Sequence, residues 1–268
     1  MHGKLHTARS ADGTPIGYET TGAGAPLVLV HGGVSDRTYW APVVPALAER
    51  FTVVSMDRRG QGASGDTAPY SIERECDDVA AVVDAFGEPV HLVGHSYGGL
   101  CALGAALRTS NLRTLTLYEP AIVPPGTVPE EFAAAIEALV ESGERDAAVE
   151  LMMGELVGLP ADALAGLRAD PALWQPMVDA VHTLPRELRT VMGFVFRPES
   201  CAAIDVPTAL LTGSLSDPAL RAGVDLVRGA VPGARVVHME GVDHEAVTTG
   251  PEVLTAALVD ALHSGQRV

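Results

Sequence analysis

Short, unbroken apolar runs alternate with helix-patterned segments along most of this chain, and that alternation restricts the fold more than any other feature. The runs lie at residues 26–30, 51–56, 90–93, 112–118, 206–212 and 235–239, with helical patterns at 39–49, 71–86, 98–107, 219–230 and 252–262 between and after them. A strand with no polar face is covered on both sides, so the pattern predicts a parallel sheet sandwiched between helices. Residues 5–19 read as two further strands joined at Ala11-Asp12-Gly13, a hairpin-type turn. The rhythm stops at residues 121–200. There the patterns are helical only (130–141, 147–157, 163–181), punctuated by Pro124, Pro125, Pro129, Pro160, Pro171 and Pro185. The economical reading is one α/β core, residues 1–120 and 201–268, with an all-α insertion at 121–200 lying as a lid over the strand ends. Its apolar side chains imply that something is buried against it. Trp174, Met152, Met177 and Phe194 are the candidates for lining a substrate pocket.

Composition narrows the possible partners. Lys and Arg total 18 against 34 Asp and Glu, a formal charge of −16, which disfavours nucleic acid and anionic membrane surfaces, both bound through clustered cations. Three cysteines in no metal-ligand spacing suggest a reducing compartment. The opening ten residues carry no apolar signal-peptide core, and no run reaches the roughly 18 residues of a membrane span. The expectation is a cytoplasmic protein, monomeric or homodimeric, acting on a small molecule without a cofactor or metal.

Within this frame, Gly94-His95-Ser96-Tyr97-Gly98 sits between the run at 90–93 and the Ala/Leu-rich helical segment that follows. A serine on a tight strand-to-helix turn is held with its hydroxyl projecting, and small neighbours let the chain double back. The helix start adds free N–H groups and a positive dipole end. Ser96 is therefore the candidate nucleophile. A serine hydroxyl is weakly nucleophilic near neutral pH, so it needs a base, an orienting acid and donors for an oxyanion.

His244, in Gly241-Val242-Asp243-His244 after the last strand, is the candidate base, because its loop leaves the sheet at the same rim as Ser96. His95 is expected to point elsewhere, and His31 to brace its loop. The His31-Gly32-Gly33 turn after the first parallel strand offers the Gly33 N–H as one oxyanion donor, with Tyr97 N–H as the other. Two carboxylates compete for the acid. Asp217, in the loop after 206–212, is the first choice, and Glu119, at the end of the strand that follows the nucleophile, is the alternative. Asp243 reads as a residue bracing its own loop.

Taken together, H-G-G at 31–33, D-R-R-G-Q-G-A-S at 57–64, G-H-S-Y-G at 94–98 and a late G-x-x-H resemble the α/β-hydrolase fold family over nearly the whole chain. The resemblance implies a mostly parallel eight-stranded sheet, a lid inserted after the sixth strand and a Ser–acid–His triad. It carries over to Ser96, His244, Gly33 and Tyr97. The family usually places its acid after the seventh strand in G-x-x-D; Asp217 stands one position late for that, while some relatives place the acid after the sixth strand, where Glu119 lies. Residues 58–62 resemble a structural turn of the family. Related epoxide hydrolases and haloalkane dehalogenases have Asp at the elbow, so serine at 96 points to acyl chemistry. The expected activity is hydrolysis of a small, fairly apolar ester, thioester or lactone, or of a C–C bond, through an acyl-serine. Acyl transfer, a lyase or cyclase step, or ligand reception in a retained pocket are the alternatives on the same scaffold.

Overall fold

The computed structural model describes residues 3–263, so Met1 and His2 of the opening segment lie outside the described residues. One eight-stranded sheet organises the molecule: β1 (Lys4–Arg9), β2 (Pro15–Thr21), β3 (Ala25–Val30), β4 (Phe51–Met56), β5 (Val90–His95), β6 (Leu112–Tyr118), β7 (Thr208–Gly213) and β8 (Arg235–Met239). The spatial order is β1-β2-β4-β3-β5-β6-β7-β8. The β1–β2 and β2–β4 pairings are antiparallel and every other pairing is parallel.

The period-2 alternation of strand side chains sorts the core into two layers. Val28, Val30, Val54, Met56, Leu92 and Leu210 face one side. Leu27, Leu29, Val53, Val93 and Leu211 face the other. Each fully buried Leu or Val of this kind contributes about 1.5–3 kcal/mol of transfer free energy. Helices α1 (Val44–Leu47), α2 (Ile72–Asp84) and α3 (Tyr97–Ala105) follow β3, β4 and β5. Ser71 caps α2, its hydroxyl accepting from Arg74 N–H at 3.4 Å. Between β6 and β7 come α4 (Glu130–Glu141), α5 (Arg145–Leu151), α6 (Ala161–Ala169), α7 (Pro171–Ala180), α8 (Leu184–Gly193) and α9 (Pro198–Cys201). Next, α10 (Pro218–Ala230) links β7 to β8, and α11 (Ala246–Thr249) and α12 (Pro251–His263) close the chain.

Two predicted helices break where proline chemistry requires. Residues 39–49 form a 3-10 turn at Arg37–Trp40 and the four-residue α1, because Pro42 and Pro45 have no N–H for an i→i−4 ladder. The predicted helix at 163–181 divides at Asp170, whose carboxylate accepts from Ala172 N–H at 2.9 Å and so starts α7, with Pro171 in its first turn. The cysteines Cys76, Cys101 and Cys201 are buried and unpaired. No helix among the described residues is long and apolar enough to cross a membrane.

The connectivity positions everything that follows. Strand β3 has β4 on one side and β5 on the other, so the chain leaves β3 and β5 in opposite directions. Their carboxyl ends form the rim at which an open α/β sheet usually takes its ligand.

Candidate active site

Backbone strain is concentrated at that rim. Among the described residues, three non-glycine residues have positive φ: Val34 (51°), Ser96 (53°) and Glu119 (41°). They follow β3, β5 and β6, three neighbouring strands, at the same rim. Each costs on the order of 1–3 kcal/mol, and a β-branched valine is among the least tolerant residues there. Such conformations persist only where the surroundings over-determine them.

Ser96 stands at the N-cap position of α3 with ψ −121°, yet its side chain makes no capping bond. A capping serine ordinarily satisfies one of the helix's free amides; here the hydroxyl is left available and half-exposed. The turn is held from behind by Ser96 N–H donating to Tyr118 carbonyl and Ala121 N–H donating to Ser96 carbonyl, both at 3.0 Å. Gly98 lets β3 pass close by, since a Cβ there would lie 2.5 Å from the Val30 carbonyl oxygen and collide with that of His31. Likewise Gly32 packs against the turn, with a Cβ at that position 3.1 Å from Ser96 Cβ. The amides of Gly33 and Tyr97 donate to no acceptor among the described residues, the latter being the first amide of α3.

His244 reaches the same rim from the loop after β8. Its Nδ1–H donates to Glu119 Oε2 at 2.8 Å, which leaves Nε2 on the far side of the ring. The Glu119 side chain is 0 % exposed and that of His244 22 %. Glu119 Oε1 accepts from Thr212 hydroxyl (2.8 Å) and Gly213 N–H (2.9 Å), so this carboxylate ties the end of β6 to the end of β7 and to the imidazole. Asp217, the first choice from sequence, is elsewhere: it is exposed at the start of α10, where its carboxylate accepts from Ala219 N–H at 2.7 Å. The reason is local. A helix start needs an acceptor for its free amides, and Asp217-Pro218 supplies cap and first turn together.

Burial pulls the His244 pKa down, but the hydrogen bond to Glu119 and the charges of Glu245, Glu119 and Asp243 outweigh it, and the net shift is above the ordinary 6.5. For Glu119, burial acts to raise the pKa, and the His244 hydrogen bond and charge with the Gly213 amide bring it below the usual carboxylate value. The two shifts are mutual, as expected of a pair that favours imidazolium beside carboxylate.

Several further residues brace this arrangement. His95 Nε2–H donates to the His244 carbonyl at 3.0 Å, and the two rings lie 4.4 Å apart. Burial, and then the neighbouring His244, hold His95 well below 6.5, hence neutral. Tyr39 stacks on its other side at 5.2 Å and donates to Glu245. The Tyr118 hydroxyl bonds the Asp243 carbonyl and accepts from Ala246 N–H, while Asp243 accepts from Glu245 N–H within its own loop. His31 is engaged at both nitrogens, with Gly32 carbonyl and Arg58 N–H. Arg58, inside the run read as a structural turn, also donates to Gly32 carbonyl at 2.9 Å and pairs with Glu75 (2.7 Å) and Glu187 (3.0 Å). Both glutamates were visible in principle. Glu75 stands with Ile72, Cys76 and Val79 on α2, and Glu187 with Leu184, Leu188 and Val191 on α8, charged members of apolar helical stripes.

Of the predicted pocket-lining residues, Trp174 packs in an apolar cluster within the inserted helices, with Met152 and Met177 against it. Trp174 is further occupied by donating to Asp146 at 2.9 Å and by Arg168 over its ring. Helical periodicity turned these side chains toward neighbouring helices. The same cluster includes Val34, so the inserted layer seats directly on the strained turn after β3. Phe194 lines a cavity of about 260 Å³ with Val128, Val191 and Met192. No group of His, Cys, Asp and Glu among the described residues has metal-holding geometry.

Comparison with known proteins gives a consistent result. The sequence model of the alpha/beta hydrolase family matches residues 27–257. A crystal structure of an alpha/beta hydrolase from Sphaerobacter thermophilus is 36 % identical, with a TM-score of 0.83, covering 96 % of this chain and 99 % of that one. A protein of Azorhizobium caulinodans named carbamate hydrolase RutD is 29 % identical over 90 % of this chain and 92 % of its own length. The enol-lactonase of Burkholderia xenovorans is 25 % identical with a TM-score of 0.73, covering 96 % and 99 %.

Proposed function

The chain belongs to the alpha/beta hydrolase family and is a hydrolase, and from that premise we propose that it works through Ser96 as nucleophile. His244 Nε2 takes the Ser96 proton while Glu119 holds Nδ1–H and so selects the competent tautomer. Ser96 Oγ attacks a carbonyl carbon. The developing oxyanion accepts from Gly33 N–H and Tyr97 N–H, each donor being worth roughly 3–4 kcal/mol in comparable sites. The imidazolium then protonates the leaving group, and a water deprotonated by His244 releases the acyl group.

The observation that carries the reading is the part-buried Glu119–His244 bond at the same strand-end rim as a serine held at positive φ whose hydroxyl caps nothing. The substrate is a small carbonyl compound with a heteroatom leaving group: an ester, thioester, lactone or carbamate. The names of the carbamate hydrolase and enol-lactonase relatives fit that class. The inserted helices serve as the lid, consistent with Val34 joining their apolar cluster.

Exposure to a fluorophosphonate followed by peptide mass analysis tests this. The expected adduct is on Ser96, absent in Ser96→Ala, a variant whose kcat falls by about 10⁴ or more with its thermal midpoint retained. An unlabelled wild-type protein, or an adduct on another residue, overturns the proposal.

A further inference from the structure

One buried polar atom next to this site is unaccounted for. Glu187 on α8 is 3 % exposed. Its Oε1 accepts from Arg58 at 3.0 Å and from the Thr183 hydroxyl at 2.8 Å. Its Oε2 has no partner among the described residues. A Cβ placed on Gly33 would lie 2.9 Å from Oε2, and apart from Gly32 and Val34 no other atom of the described residues comes within 4 Å of it, so Oε2 is what faces Gly33 in that direction. Gly33 itself is half-exposed, whereas Gly32 before it and Val34 after it are buried. Buried acceptors are almost always satisfied, and a carboxylate oxygen left bare in a dry site is costly. One aimed at an oxyanion is also electrostatically wrong unless a hydrogen-bond donor lies between them.

We propose that Glu187 Oε2 receives an N–H of the substrate, on the nitrogen attached to the reacting carbonyl. This rests on the reading of Ser96 and Gly33 above and deepens it. With the carbonyl oxygen on Gly33 N–H, a planar –C(=O)–NH₂ group points its nitrogen into the space that Oε2 overlooks. The favoured class is therefore a primary carbamate, whose alcohol leaves and whose nitrogen stays on the acyl carbon, rather than a simple alkanoyl ester. Arg58 is the positioning residue. It keeps its two-toothed pair with Glu75 (3.0 and 2.7 Å) while orienting Glu187 through Oε1.

The test uses an isosteric pair, phenylacetamide and phenylacetone, which differ by NH₂ against CH₃. Each competes with fluorophosphonate labelling of Ser96. In the wild type, the amide should protect at about tenfold lower concentration than the ketone or better, the scale of a hydrogen bond to a charged acceptor. Glu187→Gln gives the sharpest contrast. Arg58 and Thr183 are both donors, so the glutamine must turn its carbonyl toward them and present NH₂ to Gly33. The amide preference, read as the ratio of the two protecting concentrations, should vanish or invert. Equal protection in the wild type, protection by neither compound, or an amide preference that survives in Glu187→Gln overturns the inference. The wild-type arm decides by itself if the variant does not fold. Absence of any Ser96 labelling is a different outcome: it removes the nucleophile reading, and this inference with it.

Discussion

At the ends of β3, β5 and β6, strained residues stand side by side and buried polar atoms are tied to partners from several elements, as Glu119 joins β6, β7 and the His244 loop. In the helices between β6 and β7, polar contacts lie outward. Arg168 meets Glu150 at 2.5 Å with both side chains half-exposed, and Arg189 meets Glu137 at 2.8 Å in the same manner. The helical layer has an apolar cluster of its own and joins the rim through few buried bonds, chiefly Arg58 to Glu187 and Gln61 to Thr183. On the function proposed above, the contrast separates two tasks. Chemistry needs atoms held within fractions of an ångström, so the rim is cross-braced. A cover needs only to close the site, so its outer face tolerates change.

That contrast breaks most visibly at the acid. Glu119→Gln should lower kcat about 10³-fold on any ester the wild type hydrolyses, because the imidazole loses its tautomer and its stabilising charge. Asp217→Asn should leave kcat within about threefold, since its partner is a helix amide. Equal losses in the two variants would erase the distinction between rim and periphery.

The pH profile sharpens the same point. In the proposed mechanism only neutral His244 can accept the Ser96 proton, and its surroundings raise its pKa above 6.5. The acidic limb of kcat/KM should therefore have its midpoint above 6.5 and fall about tenfold per pH unit below it. Removing the carboxylate withdraws what stabilises imidazolium, so the midpoint should move down in Glu119→Gln. A wild-type midpoint at or below 6.5 contradicts the pairing.

The smallest effects compare a joint with the outer surface. Thr183→Val removes a buried hydroxyl shared by Gln61 and Glu187 and should cost about 1–3 kcal/mol by chemical denaturation. Glu150→Gln breaks a half-exposed pair and should cost less than about 1 kcal/mol. A reversed order would mean that the helical layer, not the joint, carries the stability.

Much of this was legible from residue order. Strands at 51–56, 112–118 and 235–239 coincide with β4, β6 and β8 because a continuous apolar run bounded by turns has one favourable use in a covered sheet. Ser96, Gly33 and Tyr97 are found at the strand-end turns that their motifs suggested. The extent of helix at 39–49 was not, since prolines override apolar periodicity. Nor was the acid. Asp217 and Glu119 both follow strands ending at the same rim, and the one-position offset of Asp217 kept Glu119 open without deciding which carboxylate turns inward. The supporting roles of His95, Tyr39, Tyr118 and Arg58 depend on partners 17 to 206 residues away along the chain.

Local patterns in this chain determined its elements, its parallel sheet and the family of its elbow, because periodicity and turn chemistry act over a few residues. Tertiary structure alone decided that Glu119 rather than Asp217 meets His244, and that Glu187 leaves one oxygen bare before Gly33. Those outcomes depend on how three strand ends and one inserted helix converge. Convergence is a property of packing between distant segments, and no local window of residues contains it.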